Sequence, residues 1–204
     1  MTEPAPAPTP VPVVNIANAL TVSRLLLVPV FVLALFADDG EHTGWRITAA
    51  VVFAVASLTD RLDGDLARRR GLITDFGKIV DPIADKALIG SALVGLSLLG
   101  RLPWWVTVLI LAREIGVTLL RFWVIRHGVI PASRGGKTKT FAQAVAIGLY
   151  VLPLPAVLDP LCWAAMALAL VLTMATGLDY VVRALRLRAR GRRTLAVIPP
   201  PADP

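Results

Sequence analysis

The sequence is poor in the residues that build disulfides and soft metal centres. It contains one cysteine, Cys162, which excludes an internal disulfide and a metal site built from several cysteines. Its two histidines, His42 and His127, argue against a histidine-built zinc centre. Charged residues are also scarce, at 17% of the chain against roughly 25% in an average globular protein. The polar surface is therefore too small for a soluble domain of 204 residues.

Apolar residues are abundant instead, at 56% of the chain with a mean hydropathy of +0.70. We therefore expect an integral membrane protein covered by lipid. A soluble bundle is the alternative, but it would leave most of its helices facing water in so short a chain. Six apolar segments separated by turn signals predict six membrane-spanning helices. They cover about residues 16–37, 45–59, 83–100, 103–125, 139–158 and 160–183.

The excess of positive charge indicates an orientation. If the six spans are correct, eighteen of the 21 basic residues lie on one side of the membrane, and the positive-inside rule places that side in the cytoplasm with both termini. The basic run at 183–193 lacks interleaved aromatic residues, so it predicts an anchor for anionic lipid headgroups and no nucleic-acid partner. We divide the chain into a disordered Pro-rich arm (1–14), a membrane catalytic domain (15–187) and a basic, Pro-rich cytoplasmic tail (188–204).

Acidic residues are concentrated between the second and third apolar segments. Six of the chain's 14 acids lie between Asp60 and Asp85. Asp60 and Asp63 share one helix face, as do Asp81 and Asp85. Converging carboxylates repel one another unless cations neutralise them, and oxygen ligands without histidine or cysteine favour magnesium or manganese over zinc. The alternative is pairing with neighbouring arginines at a solvated helix end, which the cost of charge near membrane depth disfavours.

Eight positions across residues 60–85 resemble the signature of the CDP-alcohol phosphatidyltransferase family. They are Asp60, Asp63, Gly64, Ala67, Arg68, Gly77, Asp81 and Asp85. The resemblance implies an all-α integral membrane protein with six transmembrane helices and an N-terminal membrane-surface helix, usually a homodimer. Such enzymes transfer the phosphatidyl group of a nucleotide-activated alcohol, often CDP-diacylglycerol, to a second alcohol and release CMP.

The resemblance also implies roles for individual residues. Asp60, Asp63, Asp81 and Asp85 would hold two divalent cations, magnesium ahead of manganese, and Asp85 would also deprotonate the acceptor hydroxyl. The stretch at 15–29 is similar to the family's membrane-surface helix. The residues implied in CDP-diacylglycerol binding are Asn18, Thr21, Arg24, Gly64, Ala67, Arg68, Thr74 and Gly77. Alternatives stay open for four of them: helix capping for Asn18 and Thr21, an interfacial anchor for Arg24, and close helix packing for Gly64.

The stretches at 111–121 and 135–143 resemble those of bacterial family members that use glycerol 3-phosphate, giving phosphatidylglycerol phosphate and CMP. A phosphorylated acceptor calls for fixed cations, and four basic residues here predict such a pocket. They are Arg113, Arg121, Lys137 and Lys139. The alternative is ordinary pairing of Arg113 with Glu114, together with simple loop charge. Two other functions stay open: the same chemistry with another acceptor such as inositol phosphate, and a divalent-cation transporter.

Overall fold

The computed structural model describes residues 15–70, 74–124 and 134–196. Within these ranges it leaves out the side chains of residues 17, 61–70, 75, 76, 78, 79, 121, 124, 134, 135, 137 and 189–196. The Pro-rich arm predicted for residues 1–14 lies outside the described residues.

Every regular element in the described ranges is helical, which confirms the all-α prediction. The six α-helices are α1 (Ile16–Phe36), α2 (Thr43–Arg70), α3 (Asp75–Leu98), α4 (Trp104–Val124), α5 (Arg134–Val151) and α6 (Asp159–Ala196). Short 3₁₀ turns at Ala37–Gly40 and Ala156–Leu158 precede α2 and α6. Each predicted apolar segment coincides in its main part with one of these helices.

Several helices extend beyond the apolar segments that predicted them. Helix α2 continues to Arg70 instead of ending near residue 59, and α6 continues to Ala196 instead of 183. Helix α5 begins at Arg134, inside the stretch 131–137 that was predicted as a turn. The stretch 15–29, which is similar to the family's membrane-surface helix leading into the first span, belongs from Ile16 onward to α1, which runs unbroken to Phe36.

The chain divides into two compact units, the first comprising Met1–Leu99 with Val151–Pro153. In this unit α1, α2 and α3 pack together. Phe31 and Phe53 meet with ring centroids 5.5 Å apart, and the small side chains Ala49, Ala56 and Ala92 are fully buried. Small residues let helix backbones approach closely. The unit thereby brings polar positions on three helices within reach of one another.

The second unit comprises Gly100–Tyr150 and Leu154–Pro204 and contains α4, α5 and α6. Its core includes Ile110, Ile147 and Met166, each at most 1% exposed. Helix α6 has 38 residues, which gives a length of about 57 Å. That is well beyond the roughly 30 Å of bilayer hydrocarbon, so part of α6 must lie outside any membrane that it crosses.

Two stretches of the described helices are long and apolar enough to cross a membrane, judged by length and composition. They are Asn18–Gly40 and Ala156–Arg188, and only 28% of each apolar window is buried. Large apolar side chains such as Leu33, Leu119 and Leu178 are exposed on α1, α4 and α6. The prediction of six spans is therefore met for two helices by this criterion and stays a prediction for the other four.

Candidate active site

A buried polar face on α1 is the centre of the first site. Asn18, Thr21 and Arg24 recur every three residues and are 6%, 2% and 0% exposed. The N-cap of α1 is Asn15, whose side chain accepts the N–H of Asn18 at 2.9 Å. The capping alternative for Asn18 and Thr21 is therefore wrong, and so is the interfacial anchor for Arg24, because its side chain does not reach the surface.

This face meets acidic residues on the two neighbouring helices. Nη1 of Arg24 lies 2.7 Å from Oδ1 of Asp60 on α2. The hydroxyl of Thr21 donates a hydrogen bond to Oδ1 of Asp81 on α3. The side chain of Asp60 is one-third exposed, so its carboxylate is held on one side by α1 and stays accessible on the other. Two predicted metal ligands thus lie beside two predicted donor-binding residues.

The start of α3 completes the contact with α1. Thr74 caps this helix: its hydroxyl accepts the N–H of Gly77 at 3.1 Å and donates to Oδ1 of Asn18 at 2.8 Å. A Cβ on Gly77 would lie 3.0 Å from Oδ1 of Asn18 and 3.8 Å from Oδ2 of Asp81. The close approach of α1 to α3 therefore favours glycine at position 77, and the Thr74 hydroxyl is already engaged by two protein groups. Whether the small residue also admits the nucleotide stays a prediction.

The described donor atoms suit a hard divalent cation. Carboxylates of Asp60 and Asp81 and the hydroxyl of Thr21 are oxygen ligands of the kind that magnesium and manganese accept. Asp85 lies one turn beyond Asp81 on α3 and is partly exposed. In the part of the chain whose side chains are described, no three acidic, histidine or cysteine residues lie close enough to hold a metal ion. The side chain of the fourth predicted ligand, Asp63, is outside that part.

A second cluster of charged residues lies within the other unit, on α4, α5 and α6. Oε1 of Glu114 accepts a hydrogen bond from Nη1 of Arg113 at 3.0 Å and another from Nζ of Lys139. Nη2 of Arg113 donates to Oγ1 of Thr176 on α6 at 2.8 Å. The Arg113–Glu114 pairing that the sequence left open is therefore present, and it is part of a larger cluster that includes Lys139.

The rest of the predicted site residues carry no side-chain description. Helix α2 passes through four of them and α4 and α5 through one each. They are Asp63, Gly64, Ala67, Arg68, Arg121 and Lys137. Sequence reasoning missed Thr176 and Gly177, which contact Arg113 from 63 and 64 positions away along the chain. The one signal that could have pointed to them was a glycine within the apolar run of α6.

These features agree with a family match that covers most of the chain. The sequence profile of the CDP-alcohol phosphatidyltransferases matches residues 14–175, and the chain belongs to this family. The family is membrane-associated and generally depends on divalent cations.

Three relatives in this family have names that describe an activity. The chain is 63% identical, over 85% of its own length and 83% of the relative's, to a probable phosphatidylglycerophosphate synthase of Mycobacterium tuberculosis. It is 35% identical, over 81% and 93%, to a CDP-diacylglycerol--glycerol-3-phosphate 3-phosphatidyltransferase of Bacillus subtilis. An Escherichia coli enzyme of the latter name is 41% identical over 65% of the chain and 74% of the relative.

Proposed function

We propose that this protein transfers the phosphatidyl group of CDP-diacylglycerol to glycerol 3-phosphate, giving phosphatidylglycerol phosphate and CMP. The observation that carries the proposal is the buried polar face of α1, which holds the signature carboxylates Asp60 and Asp81 through Arg24 and Thr21. The names of the relatives support the choice of donor and acceptor.

On the donor side, Asp60, Asp63, Asp81 and Asp85 would hold two divalent cations, magnesium ahead of manganese. When bound, such ions neutralise charge on the phosphoryl oxygens and on the departing CMP. Arg24 and Thr21 fix the carboxylates of Asp60 and Asp81 before substrate arrives, so that little reorganisation is left for the reaction. Pre-organised carboxylates are what a phosphoryl-transfer site needs most.

The nucleotide and the lipid diphosphate are assigned to the non-acidic positions of the signature and to two residues beside it. Arg68 offers a planar, two-pronged donor to a diphosphate. Gly64, Ala67 and Gly77 leave room for the nucleotide, and Asn18 and Thr74 border that space through their mutual hydrogen bond. Asp85 receives the proton of the acceptor hydroxyl as it attacks the lipid-side phosphorus.

On the acceptor side, Arg113, Arg121, Lys137 and Lys139 would bind the phosphate of glycerol 3-phosphate. Arg113 and Lys139 are already held close to one another by Glu114. A phosphate monoester carries enough negative charge to bind both cations, whereas an unphosphorylated alcohol does not. The cluster therefore favours a phosphorylated acceptor.

We further propose that the protein crosses the cell membrane six times as a homodimer, with both termini and the site facing the cytoplasm. The distribution of basic residues supports this orientation. The substrates place the site near a membrane surface, since glycerol 3-phosphate and the CDP group are water-soluble and must reach the site from an aqueous phase.

The proposal is tested by CMP release from purified protein supplied with CDP-diacylglycerol, glycerol 3-phosphate and magnesium. We expect release by the unaltered protein and none by Asp85→Ala or Asp60→Ala. The control is Asp179→Asn, which removes an exposed carboxylate that pairs with Arg183 one turn further along α6. Normal turnover by both alanine variants would refute the metal-site assignment.

The same preparation decides between the alternatives. If CMP is released faster with inositol phosphate than with glycerol 3-phosphate, the chemistry is the same and the acceptor and product differ. Uptake of divalent metal into proteoliposomes without CDP-dependent chemistry would instead identify a transporter.

A further inference from the structure

Glu114 places one carboxylate between two cations of the proposed acceptor pocket. The side chains of Arg113, Glu114 and Lys139 are 14%, 18% and 8% exposed. Both cations donate to the same oxygen, Oε1, so the carboxylate joins a cation of α4 to a cation of α5. Two largely buried cations bound to one oxygen atom repel each other, and a carboxylate between them offsets that repulsion and allows both to stay charged.

Helix α6 fixes the other side of Arg113. Its Nη2 donates to Thr176, whose hydroxyl is itself anchored on the carbonyl of Leu172 at 2.7 Å. A Cβ on Gly177 would lie 2.9 Å from Nε and 3.0 Å from Cγ of Arg113. The guanidinium is therefore confined by α6 on one side and by Glu114 on the other.

One donor of the cluster is not used within the described part of the protein. Nε of Arg113 is buried and has no hydrogen-bond acceptor among the described residues. An unused donor on a buried guanidinium is the complement of an anion.

We propose that Glu114 is a positioning residue for the acceptor phosphate: it holds Arg113 and Lys139 charged and in place before the acceptor binds. The inference rests on the proposed function, because that function supplies the phosphorylated acceptor. Glu114 itself does not touch the reacting atoms. Its contribution is to set the geometry of the two cations, so it acts on acceptor binding and not on the chemical step.

The first test is Glu114→Gln, which keeps the shape and removes the charge. The two cations then repel, and the flexible lysine side chain leaves its place. We expect the KM for glycerol 3-phosphate to rise about tenfold or more, with kcat and the KM for CDP-diacylglycerol nearly unchanged. The matched control is Asp179→Asn, the same chemical change at an exposed pair on α6, which leaves all three constants unaltered. A fall in kcat with an unchanged KM for the acceptor would overturn the proposal.

A second test asks whether Glu114 acts through Lys139. In the Lys139→Met background, the ammonium group that Glu114 would hold is already absent. The fold-increase in the KM for glycerol 3-phosphate of the double variant should therefore be well below the product of the fold-increases of the two single variants. Effects that simply multiply would refute the inference. The double variant also removes one charge of each sign, which gives a folded reference if Glu114→Gln alone is unstable.

Inorganic phosphate separates this inference from the proposed function. We expect phosphate to raise the melting temperature of the unaltered protein and to raise that of Glu114→Gln much less. If glycerol 3-phosphate is not a substrate but this difference is seen, the proposed function fails and the inference stands. If glycerol 3-phosphate is a substrate and Glu114→Gln leaves its KM and the phosphate effect unchanged, the inference alone fails.

Discussion

Gly77 is the residue at which an added methyl group would meet the polar face of α1. Its absent Cβ would stand 3.0 Å from Oδ1 of Asn18, and the Asn18 side chain is itself held by Thr74. Relief of the contact needs a shift of a few tenths of an ångström in a site where positioning governs the rate.

We therefore expect Gly77→Ala to lower the rate of CMP release by about tenfold, since small displacements at such sites are costly. Gly116→Ala on α4 is the control, because nothing lies within 4 Å of its Cβ position. Alanine there should keep full activity and stabilise α4 by about 0.4–1 kcal/mol. Equal activity of the two variants would show that position 77 does not need to be small.

Gly177 is the corresponding position in the second cluster, where an added methyl group would meet Arg113. An added Cβ would press on Nε and Cγ of Arg113, whose guanidinium is confined by Thr176 and Glu114. We expect Gly177→Ala to raise the KM for glycerol 3-phosphate about tenfold while kcat is retained, because the displaced group binds the acceptor in ground and transition state alike. Gly148→Ala on α5, with open space around it, should behave like the unaltered protein in the same assay. A changed kcat with an unchanged KM would contradict this role of Arg113.

At the scale of elements, the N-cap residue of α3, Thr74, makes hydrogen bonds to two helices. The Thr74 hydroxyl caps α3 through Gly77 and also donates to Asn18 on α1. Removing it leaves one helix end uncapped and one buried amide oxygen without this donor.

Thr74→Ala should accordingly lower the free energy of unfolding by about 1–2 kcal/mol, measured by thermal unfolding in detergent with helical circular dichroism. Thr74→Ser retains the hydroxyl and should stay within about 0.5 kcal/mol of the unaltered protein. A serine variant as unstable as the alanine variant would assign the effect to the threonine methyl group instead of the hydrogen bonds.

The positions of the helices could be predicted from the sequence, whereas their ends could not. Hydropathy located all six helices but not their ends, because it detects the apolar part of a helix and not its continuation. Residues 61–70 include four arginines, two leucines and an alanine, which are good helix formers, so α2 continues to Arg70. In the same way the basic end of α6 stays helical to Ala196.

Charge within the helices is the reason that only two of them qualify as spans by composition. Helix α3 carries Asp81, Asp85 and Lys86, and α4 carries Arg113 and Glu114 in its middle. Apart from Lys86, these are the residues to which the sequence assigned chemistry, or their direct partners. A functional site near membrane depth therefore weakens the apolar signal of the helices that form it.

For the site itself, spacing predicted which residues share a face but not which residues meet. The three-residue repeat of Asn18, Thr21 and Arg24 was visible in the sequence. Their partners Asp60 and Asp81 lie 36 and 60 positions further along the chain and become neighbours only when three helices pack. Packing of this kind depends on buried small residues, whose effect no local pattern reveals.

For the whole molecule, both units combine an apolar core with several buried polar side chains and with large apolar side chains on the surface. Arg24, Lys139 and Gln143 are at least nine-tenths buried, while Leu33, Val157 and Leu178 are more than 60% exposed. Polar groups inside and apolar groups outside are what a lipid environment requires. The polar clusters are therefore held by protein partners, and the exposed apolar faces are left to lipid or to a second subunit.

The proposed orientation yields a prediction that uses the single cysteine of the chain. Cys162 is buried and free, so a Cys162→Ser background carries no thiol, and new cysteines report one position each. With six spans and cytoplasmic termini, the α1–α2 connection and the α5–α6 connection face the outside, whereas Arg186 on the basic end of α6 faces the cytoplasm.

His42→Cys and Val157→Cys should therefore react with a membrane-impermeant maleimide in intact cells. Arg186→Cys should react only after the membrane is opened. Each variant is first shown to release CMP, so that the result applies to folded protein. The reverse labelling pattern would mean that the orientation is inverted. Labelling of both Val157→Cys and Arg186→Cys in intact cells would show that α6 does not cross the membrane.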